Sequence, residues 1–307
     1  MGLDPNVAGN RDAWLTRRRQ GIGSTDAAAI LGKSRWKTPL HVYLDKRGEL
    51  IDEDSEPKRW GRLLENVVAT AYEEHTGNHV VLPAQSTYVH EHHPELLCSL
   101  DRIVQDGHED FILECKTSET ADGWGQEGSD DIPDEYLIQV QHQMMVTGYK
   151  RADVAVLIAG NRFKRYIVQS SPGIQTPLLR IELDFWKKIQ RCDAPDLEWS
   201  HPETGNLLKR MYGVDESYRI ALEEEAKQMV REYLICHEEV KGAEQKKERM
   251  KLELLALMKR AAFAELDDGT TLHRKTINRA GYAVAPTSYV AFSIKASQEM
   301  KNRAKPY

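Results

Sequence analysis

The sequence predicts a mixed α/β core, with a central mixed sheet flanked by helices, followed by a long helical segment and a small β tail. Three observations lead to this fold class. Helix patterns with start and stop signals alternate with short β-prone runs up to about residue 212. An apolar heptad repeat then runs to about residue 262, and β-prone residues return after it. We therefore expect three parts, at residues 1–212, 213–262 and 263–307.

The composition is that of a globular protein with a sizeable core, since 40% of the 307 residues are hydrophobic and 29% are charged. The sequence has no apolar run of transmembrane type, and its N-terminus lacks the apolar core of a signal peptide. Its four cysteines form no CxxC pair, which argues for reduced thiols in a cytoplasm and against a zinc or iron–sulfur site. The net charge of −6 does not indicate a nucleic-acid binder, although basic clusters at 17–19, 33–37 and 161–166 could line a groove.

Helix and strand signals can be placed in order along the core. The helix patterns cover residues 24–32, 38–48, 60–77, 134–148 and 178–190, and all but the last stop at a glycine. Ser24 or Thr25 is the expected N-cap of the first helix, and Pro39 stands in the first turn of the second. The strand patterns cover residues 79–90, 99–119, 152–160 and 163–169.

The segment after residue 212 carries a heptad seam, with Lys247 as its one misfit. The other seam residues are Leu222, Ala226, Met229, Tyr233, Cys236, Val240, Ala243, Met250, Leu254 and Leu257. Gly242, at the centre of the seam, leaves open a bend into a helical hairpin. Heptads are typical of packing or oligomerisation rather than chemistry. Residues 271–279 and 288–295 then predict a small β element.

The hairpin predicted over residues 99–119 buries charge in an unusual way. If residues 105–110 form its turn, Asp101 lies directly opposite Glu114, and strand alternation puts Lys116 on the same face. Opposed positions are about 5 Å apart, so the two carboxylates repel unless something positive lies between them. Lys116 is one such group, and a divalent metal ion is a stronger one, because hard cations prefer oxygen ligands. The alternative is an ordinary edge hairpin with a solvated charged face.

Several short blocks around this hairpin resemble a known nuclease superfamily. Asp101, separated by twelve residues from Glu-x-Lys at 114–116, has the arrangement of the PD-(D/E)xK nucleases, with Ser-Leu-Asp in place of Pro-Asp. The block WGRLLEN at 60–66 resembles the helix that supplies an additional acidic residue. The block YLIQVQHQMMVTG at 136–148 resembles the Gln-x-Gln helix of the same proteins.

A further block narrows the resemblance to one family. RRRQGIGSTDAAAILGKSRWKTP, residues 17–39, resembles the opening segment of the YqaJ-type viral recombinases. In order and spacing, residues 14–190 resemble these proteins and the phage-lambda-type alkaline exonucleases. The helical segment and β tail resemble the C-terminal extension of many YqaJ-type proteins more loosely. The resemblance implies a PD-(D/E)xK, restriction-endonuclease-like core.

The resemblance also implies residue roles at the hairpin. Asp101 and Glu114 would be the metal-binding carboxylates, with the backbone carbonyl of Cys115 as a third protein ligand. Lys116 would orient and activate the attacking water and help to neutralise the scissile phosphate, as a base or as an electrostatic clamp. The implied cofactor is Mg²⁺, with Mn²⁺ as a substitute, and no nucleotide is implied.

Further roles follow from the flanking blocks. Glu65 would complete the metal site through a water, and Gln139 would hold the water or Lys116. Glu91, ten residues before Asp101, matches another acidic position of the family.

The first block resembles the 5′-phosphate pocket of the family. It implies phosphate-binding roles for Arg19, Ser24 and Thr25, with Arg18 as an alternative donor. The triplet His90, His92 and His93 suggests a metal cluster, but imidazoles before a Pro94 turn are more typical of a loop.

Three functions remain open from the sequence. The leading one is a Mg²⁺-dependent 5′→3′ double-strand exonuclease of a phage or prophage recombination system, which leaves a 3′ strand for an annealing partner. The second is a nicking or junction-cleaving endonuclease on the same fold. The third is a non-catalytic DNA-binding or assembly protein that uses its coiled coil. By family resemblance we expect duplex DNA ends as substrate, a homo-oligomer, no membrane association and a cytoplasmic location.

Overall fold

A computed structural model of the protein describes residues 16–50 and 55–276. The chain divides into two compact units, Met1–Tyr212 and Gly213–Tyr307. In the described ranges, no helix combines the length and the apolar character needed to cross a membrane.

The described strands and helices follow the chain in this order. The strands are β1 (Ile22–Gly23), β2 (His79–Val81), β3 (Tyr88–Val89), β4 (Leu96–Cys98), β5 (Arg102–Gln105), β6 (Asp110–Ser118), β7 (Arg151–Ile158), β8 (Arg162–Gln169), β9 (Phe263–Glu265) and β10 (Thr271–His273). The helices are α1 (Ser24–Ile30), α2 (Pro39–Lys46), α3 (Glu56–Thr76), α4 (Asp134–Thr147), α5 (Pro172–Arg191), α6 (Thr204–Met211) and α7 (Glu224–Met258).

The first unit is built on a mixed five-stranded sheet in the order β2-β5-β6-β7-β8. Strands β6 and β7 pair in parallel, and the other neighbours pair antiparallel. Strands β1, β4 and β3 form a second, three-stranded sheet in that order. The predicted fold class, a central mixed sheet flanked by helices, is confirmed.

Helices cover both faces of the main sheet because β6 alternates apolar side chains to both sides. Phe111 and Leu113 pack against Val68 and Tyr72 of α3. Ile112, one position out of phase, belongs to the larger core on the α4 side. Side chains at even positions of β6 therefore face α4, and this includes Glu114 and Lys116.

The predicted ends of α3 and α4 agree with the structure, whereas α1 and α2 end at Ile30 and Lys46, two residues before the predicted glycines. Gly77 and Gly148, the C-caps of α3 and α4, have φ values of 72° and 82°, a conformation that glycine adopts without a Cβ clash. Helices α3 and α5 begin earlier than predicted, at Glu56 and Pro172, and each has a proline in its first turn. Proline suits that turn because its fixed φ is helical and its missing N–H has no partner there.

The predicted strand over residues 79–90 is instead two short strands, β2 and β3, in different sheets.

The second unit contains one continuous helix and a hairpin. Helix α7 runs for 35 residues through Gly242 without a break, so the helical hairpin considered from the sequence is wrong. A single glycine costs a helix only about 1 kcal/mol, which the flanking turns tolerate. Strands β9 and β10 pair antiparallel. The predicted strand at 288–295 lies outside the described residues.

Candidate active site

The hairpin of β5 and β6 has the predicted register. Ile103 pairs with Ile112 and Gln105 with Asp110, in an antiparallel ladder that ends at Arg102. Asp101 follows at the end of the ladder, where its Oδ2 accepts a hydrogen bond from the backbone N–H of Cys115 at 2.9 Å. The turn between the strands therefore fixes Asp101 beside Glu114 and Lys116.

Glu114 is buried, with 2% of its surface exposed, and is surrounded by donors. Its Oε1 accepts hydrogen bonds from Lys116 Nζ at 2.6 Å and from Gln139 Nε2 at 2.5 Å. Its Oε2 accepts one from Gln143 Nε2 at 2.8 Å. These hydrogen bonds satisfy the buried carboxylate, which explains how the fold keeps it inside.

Lys116 is held on three sides. Besides Glu114, its Nζ donates to Gln139 Oε1 at 3.1 Å and lies 4.9 Å from the ring centroid of Tyr136. Tyr136 in turn stacks on Trp124. Burial alone would lower the pKa of Lys116, but the attraction of Glu114 and Asp101 outweighs burial and raises it. The lysine is therefore a cation in this arrangement.

The carboxyl group of Asp101 has a raised pKa. Burial raises the pKa of its carboxyl well above the ordinary 3.8, and the negative charges of Glu114 and Glu65 raise it further. Lys116 and the Cys115 N–H act in the opposite direction without cancelling these effects. The site thus carries more negative charge than the neighbouring cation neutralises.

Glu65 reaches the cluster from the other face of the hairpin. Arg102 pairs with Leu113, whose side chain packs against α3, so Arg102 also faces α3 and forms an ion pair there with Glu65. The same guanidinium donates to the backbone carbonyl of Asp101 at 2.5 Å. The structure therefore brings Glu65 near Asp101, but bound to Arg102 rather than gathered with Glu114.

The structure does not bring Glu91 to the site, which corrects the sequence interpretation. Glu91 lies in the turn between β3 and β4, its side chain is 88% exposed, and its ion-pair partner is His92 at 4.0 Å. Strand β4 separates that turn from Asp101. His90 acts as a local cap, since its Nδ1 accepts the backbone N–H groups of His92 and His93 at 3.1 and 3.2 Å.

The proposed phosphate-binding residues divide into two groups. Arg18 donates to the hydroxyl of Thr25 at 2.8 Å, next to the buried Ser24. Arg19 turns away to Asp45, with 3.7 Å between Nε and Oδ1.

A buried ion pair at the start of α1 favours Arg18 over Arg19 as a phosphate-binding residue. Asp26 and Lys46 are both fully buried, and 2.6 Å separates Oδ2 from Nζ. Burial would raise the pKa of Asp26, but the charges of Lys46, Arg18 and Lys37 outweigh burial and hold it below its usual range. Three cations thus surround one carboxylate at the start of α1, so the surroundings keep a net positive charge.

Comparison with known proteins places the chain in a family. The sequence model of the YqaJ-like viral recombinase domain matches residues 13–150. The uncharacterized protein YqaJ of Bacillus subtilis (strain 168) is 32% identical over 266 residues, which cover 85% of this chain and 82% of that protein. The chain belongs to the YqaJ-like viral recombinase family. The resemblance predicted from the four sequence blocks is thereby confirmed.

Two solved structures are also similar to this YqaJ-like chain. An alkaline exonuclease, LHK-Exo, from Laribacter hongkongensis shares 16% identity with a TM-score of 0.49, over 64% of this chain and 99% of that one. A phage related exonuclease from Haemophilus somnus 129PT shares 13% identity with a TM-score of 0.44, over 56% of this chain and 94% of that one.

Two contacts of the YqaJ-like site on α4 were missed in the sequence. Gln143 and Tyr136 lie four residues after and three before Gln139, so all three share one face of the helix. That spacing was a usable signal, because a helix that presents Gln139 to Glu114 presents its i+4 neighbour as well. The Arg102–Glu65 pair left no such signal, since it joins a helix and a strand that are 37 residues apart in the sequence.

The donor set of the site suits a hard divalent cation. The carboxylates of Asp101 and Glu114 and the carbonyl of Cys115 are all oxygen donors, the kind that Mg²⁺ binds. Burial and the negative charges of Glu114 and Glu65 raise the pKa of Asp101, and a bound cation would oppose both effects. In the described residues, however, no three His, Cys, Asp or Glu side chains already converge as a metal cluster. Here the Glu114 carboxylate is engaged by Lys116, Gln139 and Gln143.

Proposed function

We propose that this YqaJ-like protein is a metal-dependent deoxyribonuclease, and specifically a 5′→3′ double-strand exonuclease that leaves a 3′ single strand. The observation that carries the proposal is the convergence of Asp101, Glu114 and Lys116 on one face of a hairpin. Two buried glutamines hold this cluster from α4. An ordinary solvated edge hairpin would not surround its carboxylate with two buried amide donors and a partly buried ammonium.

Each residue of the cluster would have a separate role in phosphodiester hydrolysis. Mg²⁺, held by Asp101, Glu114 and the Cys115 carbonyl, would supply a nucleophile at neutral pH and neutralise charge on the phosphate. Lys116, protonated beside Glu114, donates to the attacking water and to the scissile phosphate as an electrostatic clamp. Gln139 fixes the ammonium position through its 3.1 Å contact.

The family supports the wider parts of the proposal. We place the enzyme in a phage or prophage recombination system of a bacterial cytoplasm, as a homo-oligomer that passes its 3′ strand to an annealing recombinase. Mn²⁺ is expected to replace Mg²⁺, because both accept carboxylate oxygens. The free thiols of all four cysteines are compatible with a reducing compartment.

A comparison of DNA forms tests the proposed activity. In Mg²⁺, the protein should digest linear duplex DNA from its 5′ ends to nucleotides and single-stranded DNA, and leave covalently closed circles intact, because an exonuclease needs an end. EDTA should stop the reaction, since the cation supplies the nucleophile. Gel analysis of both substrates, with and without EDTA, measures this directly.

The other outcomes of this comparison are equally informative. Cleavage of closed circles would contradict the exonuclease and favour an endonuclease on the same fold. No degradation of either substrate would contradict catalysis and favour the assembly role.

The recognition of a 5′-phosphate is expected to depend on Arg18. The wild-type enzyme should degrade 5′-phosphorylated duplex faster than 5′-hydroxyl duplex, and Arg18→Ala should remove most of that preference. Loss of one charge-assisted phosphate contact is worth roughly 1.5–3 kcal/mol, or about ten- to a hundredfold in rate. Initial rates on the two substrates measure the preference.

Arg19→Ala is the matched control, since it removes the same charge from the neighbouring residue, which pairs with Asp45. It should keep the preference. Loss of the preference in Arg19→Ala alone would place the phosphate on the Asp45 side. Full preference in both variants would mean that the basic run 17–19 only attracts DNA electrostatically.

A further inference from the structure

Helix α7 exposes the apolar side chains of its heptad seam. Within the described chain, Met229, Val240 and Leu257 are 68%, 58% and 78% exposed. Heptad numbering puts Ala226, Tyr233, Val240, Lys247 and Leu254 at a positions, and Leu222, Met229, Cys236, Ala243, Met250 and Leu257 at d positions. An exposed apolar stripe of this length is typical of a protein interface.

The charges along α7 are separated by sign. Residues 223–239 include six acidic and two basic residues, whereas residues 241–260 include three acidic and seven basic residues. The first half of the helix is therefore negative and the second half positive. A helix of this kind is complementary to a second copy of itself that runs in the opposite direction.

A parallel pair of these helices would place like charges together. Lys247 would face Lys247 of the second copy at an a–a layer. At the flanking g and e positions, Glu239 would meet Glu244, and Lys246 would meet Lys251. Each of these contacts is repulsive, so the sequence disfavours the parallel arrangement.

An antiparallel pair removes these conflicts. With the two helices overlapping over their full length, Val240 packs on Ala243 and Ala226 on Leu257, so that small residues face larger ones. Lys247 then lies opposite Cys236 rather than opposite a second lysine.

The flanking charges next to the centre of the antiparallel pair are complementary, whereas further out Glu232 meets Glu253. Glu239 of one copy meets Lys246 of the other, twice by symmetry. Neither residue has an ion-pair partner in the described part of the chain, whereas the neighbouring Glu238 is paired with Lys241 within the helix at 3.9 Å. The two side chains that face the second copy are thus available to it.

We propose that α7 is the interface with a second copy of this chain, packed as an antiparallel coiled coil centred next to Gly242. The interface belongs to the second unit and is independent of the nuclease chemistry proposed for the first. The exposed seam and the opposite charges of the two halves of α7 support this partner over an unrelated protein.

Disulfide cross-linking of the full-length protein tests the direction of the helices. In a Cys192→Ser background, which removes the exposed cysteine of the first unit, Lys247→Cys should form a covalent dimer under mild oxidation through Cys236 and the new thiol. Within one helix these two positions are separated by about 16 Å, too far for a disulfide, so the bond reports the second copy. Mass spectrometry identifies the linked peptides.

Cys192→Ser alone is the control for this experiment. Its two Cys236 thiols lie about 16 Å apart in the antiparallel pair and should not cross-link. Cross-linking of Cys236 to itself would overturn the proposal in favour of a parallel pair. If Lys247→Cys forms no dimer, the proposed interface between two α7 helices is wrong. The exposed seam of α7 would then be covered by another partner, such as residues 277–307 or a different protein.

Charge reversal gives a second, independent test. Glu239→Lys and Lys246→Glu should each weaken self-association roughly tenfold by sedimentation equilibrium, and the double variant should restore it. Glu238→Lys, the same change on the outer face of the helix, is the matched control and should have no effect. Tighter association of Glu239→Lys, as a parallel pair requires, or a protein that stays monomeric, would overturn the proposal.

Discussion

Asp101→Asn and Glu114→Gln should each lower metal-dependent DNA cleavage by more than roughly a hundredfold and shift the unfolding temperature in opposite directions. The loss of activity follows from removing a metal-binding carboxylate, since changes to outer-shell partners alone cost about ten- to a hundredfold. The opposite stability effects follow from the different surroundings of the two groups.

Asp101→Asn should stabilise the protein in the absence of metal. Burial and the charges of Glu114 and Glu65 raise the pKa of Asp101, so the free energy of unfolding falls as the pH rises from the ordinary pKa toward the raised one. Asparagine does not titrate and avoids this loss at neutral pH. The asparagine oxygen can still accept the Cys115 N–H. The gain should shrink as the pH falls through the raised pKa and vanish below about 4, where the carboxyl is protonated in both states.

Glu114→Gln should destabilise the protein by about 2 kcal/mol, or a few degrees. It removes the negative charge beside the Lys116 ammonium and replaces one acceptor oxygen with an NH2 group that faces another donor. Thermal unfolding in EDTA, at pH 7 and at pH 4, measures both effects. The control is Glu91→Gln, which removes an exposed carboxylate outside the cluster and should change neither activity nor stability. Wild-type turnover by either site variant would contradict the assignment.

Lys116→Met should reduce cleavage by roughly a hundred- to a thousandfold while leaving metal binding intact. The substitution keeps an apolar stem against Tyr136 but removes the donor that faces the water and the phosphate. Loss of one preorganised donor to developing charge has about this effect in other enzymes. Because Glu114 loses a competing cation, the affinity for Mn²⁺ should stay level or rise.

Calorimetry of Mn²⁺ binding in the presence of DNA, together with single-turnover cleavage, separates the two effects. Gln139→Leu is a useful companion, since it removes the contact that positions the ammonium and should give a smaller loss of the same kind. If metal binding disappears together with activity in Lys116→Met, the lysine holds the site together and does not act on the substrate.

The sequence determined the local architecture of the core. Gly77 and Gly148 predicted where α3 and α4 end, and Pro39 predicted where α2 begins, because left-handed caps and fixed φ values are properties of single residues. The short polar turn between β5 and β6 set the hairpin register, so that Asp101, Glu114 and Lys116 fell on one side of the strand pair. Helical spacing around Gln139 held the further signal for Gln143.

Only the tertiary structure decided which distant groups meet. It placed Arg102 between Asp101 and Glu65, and it left Glu91 in an exposed turn. It also separated neighbouring arginines, with Arg18 at Thr25 and Arg19 at Asp45. The physical reason is that a turn or a helical repeat depends on nearby residues alone, whereas contacts between elements depend on how the sheet and its helices pack.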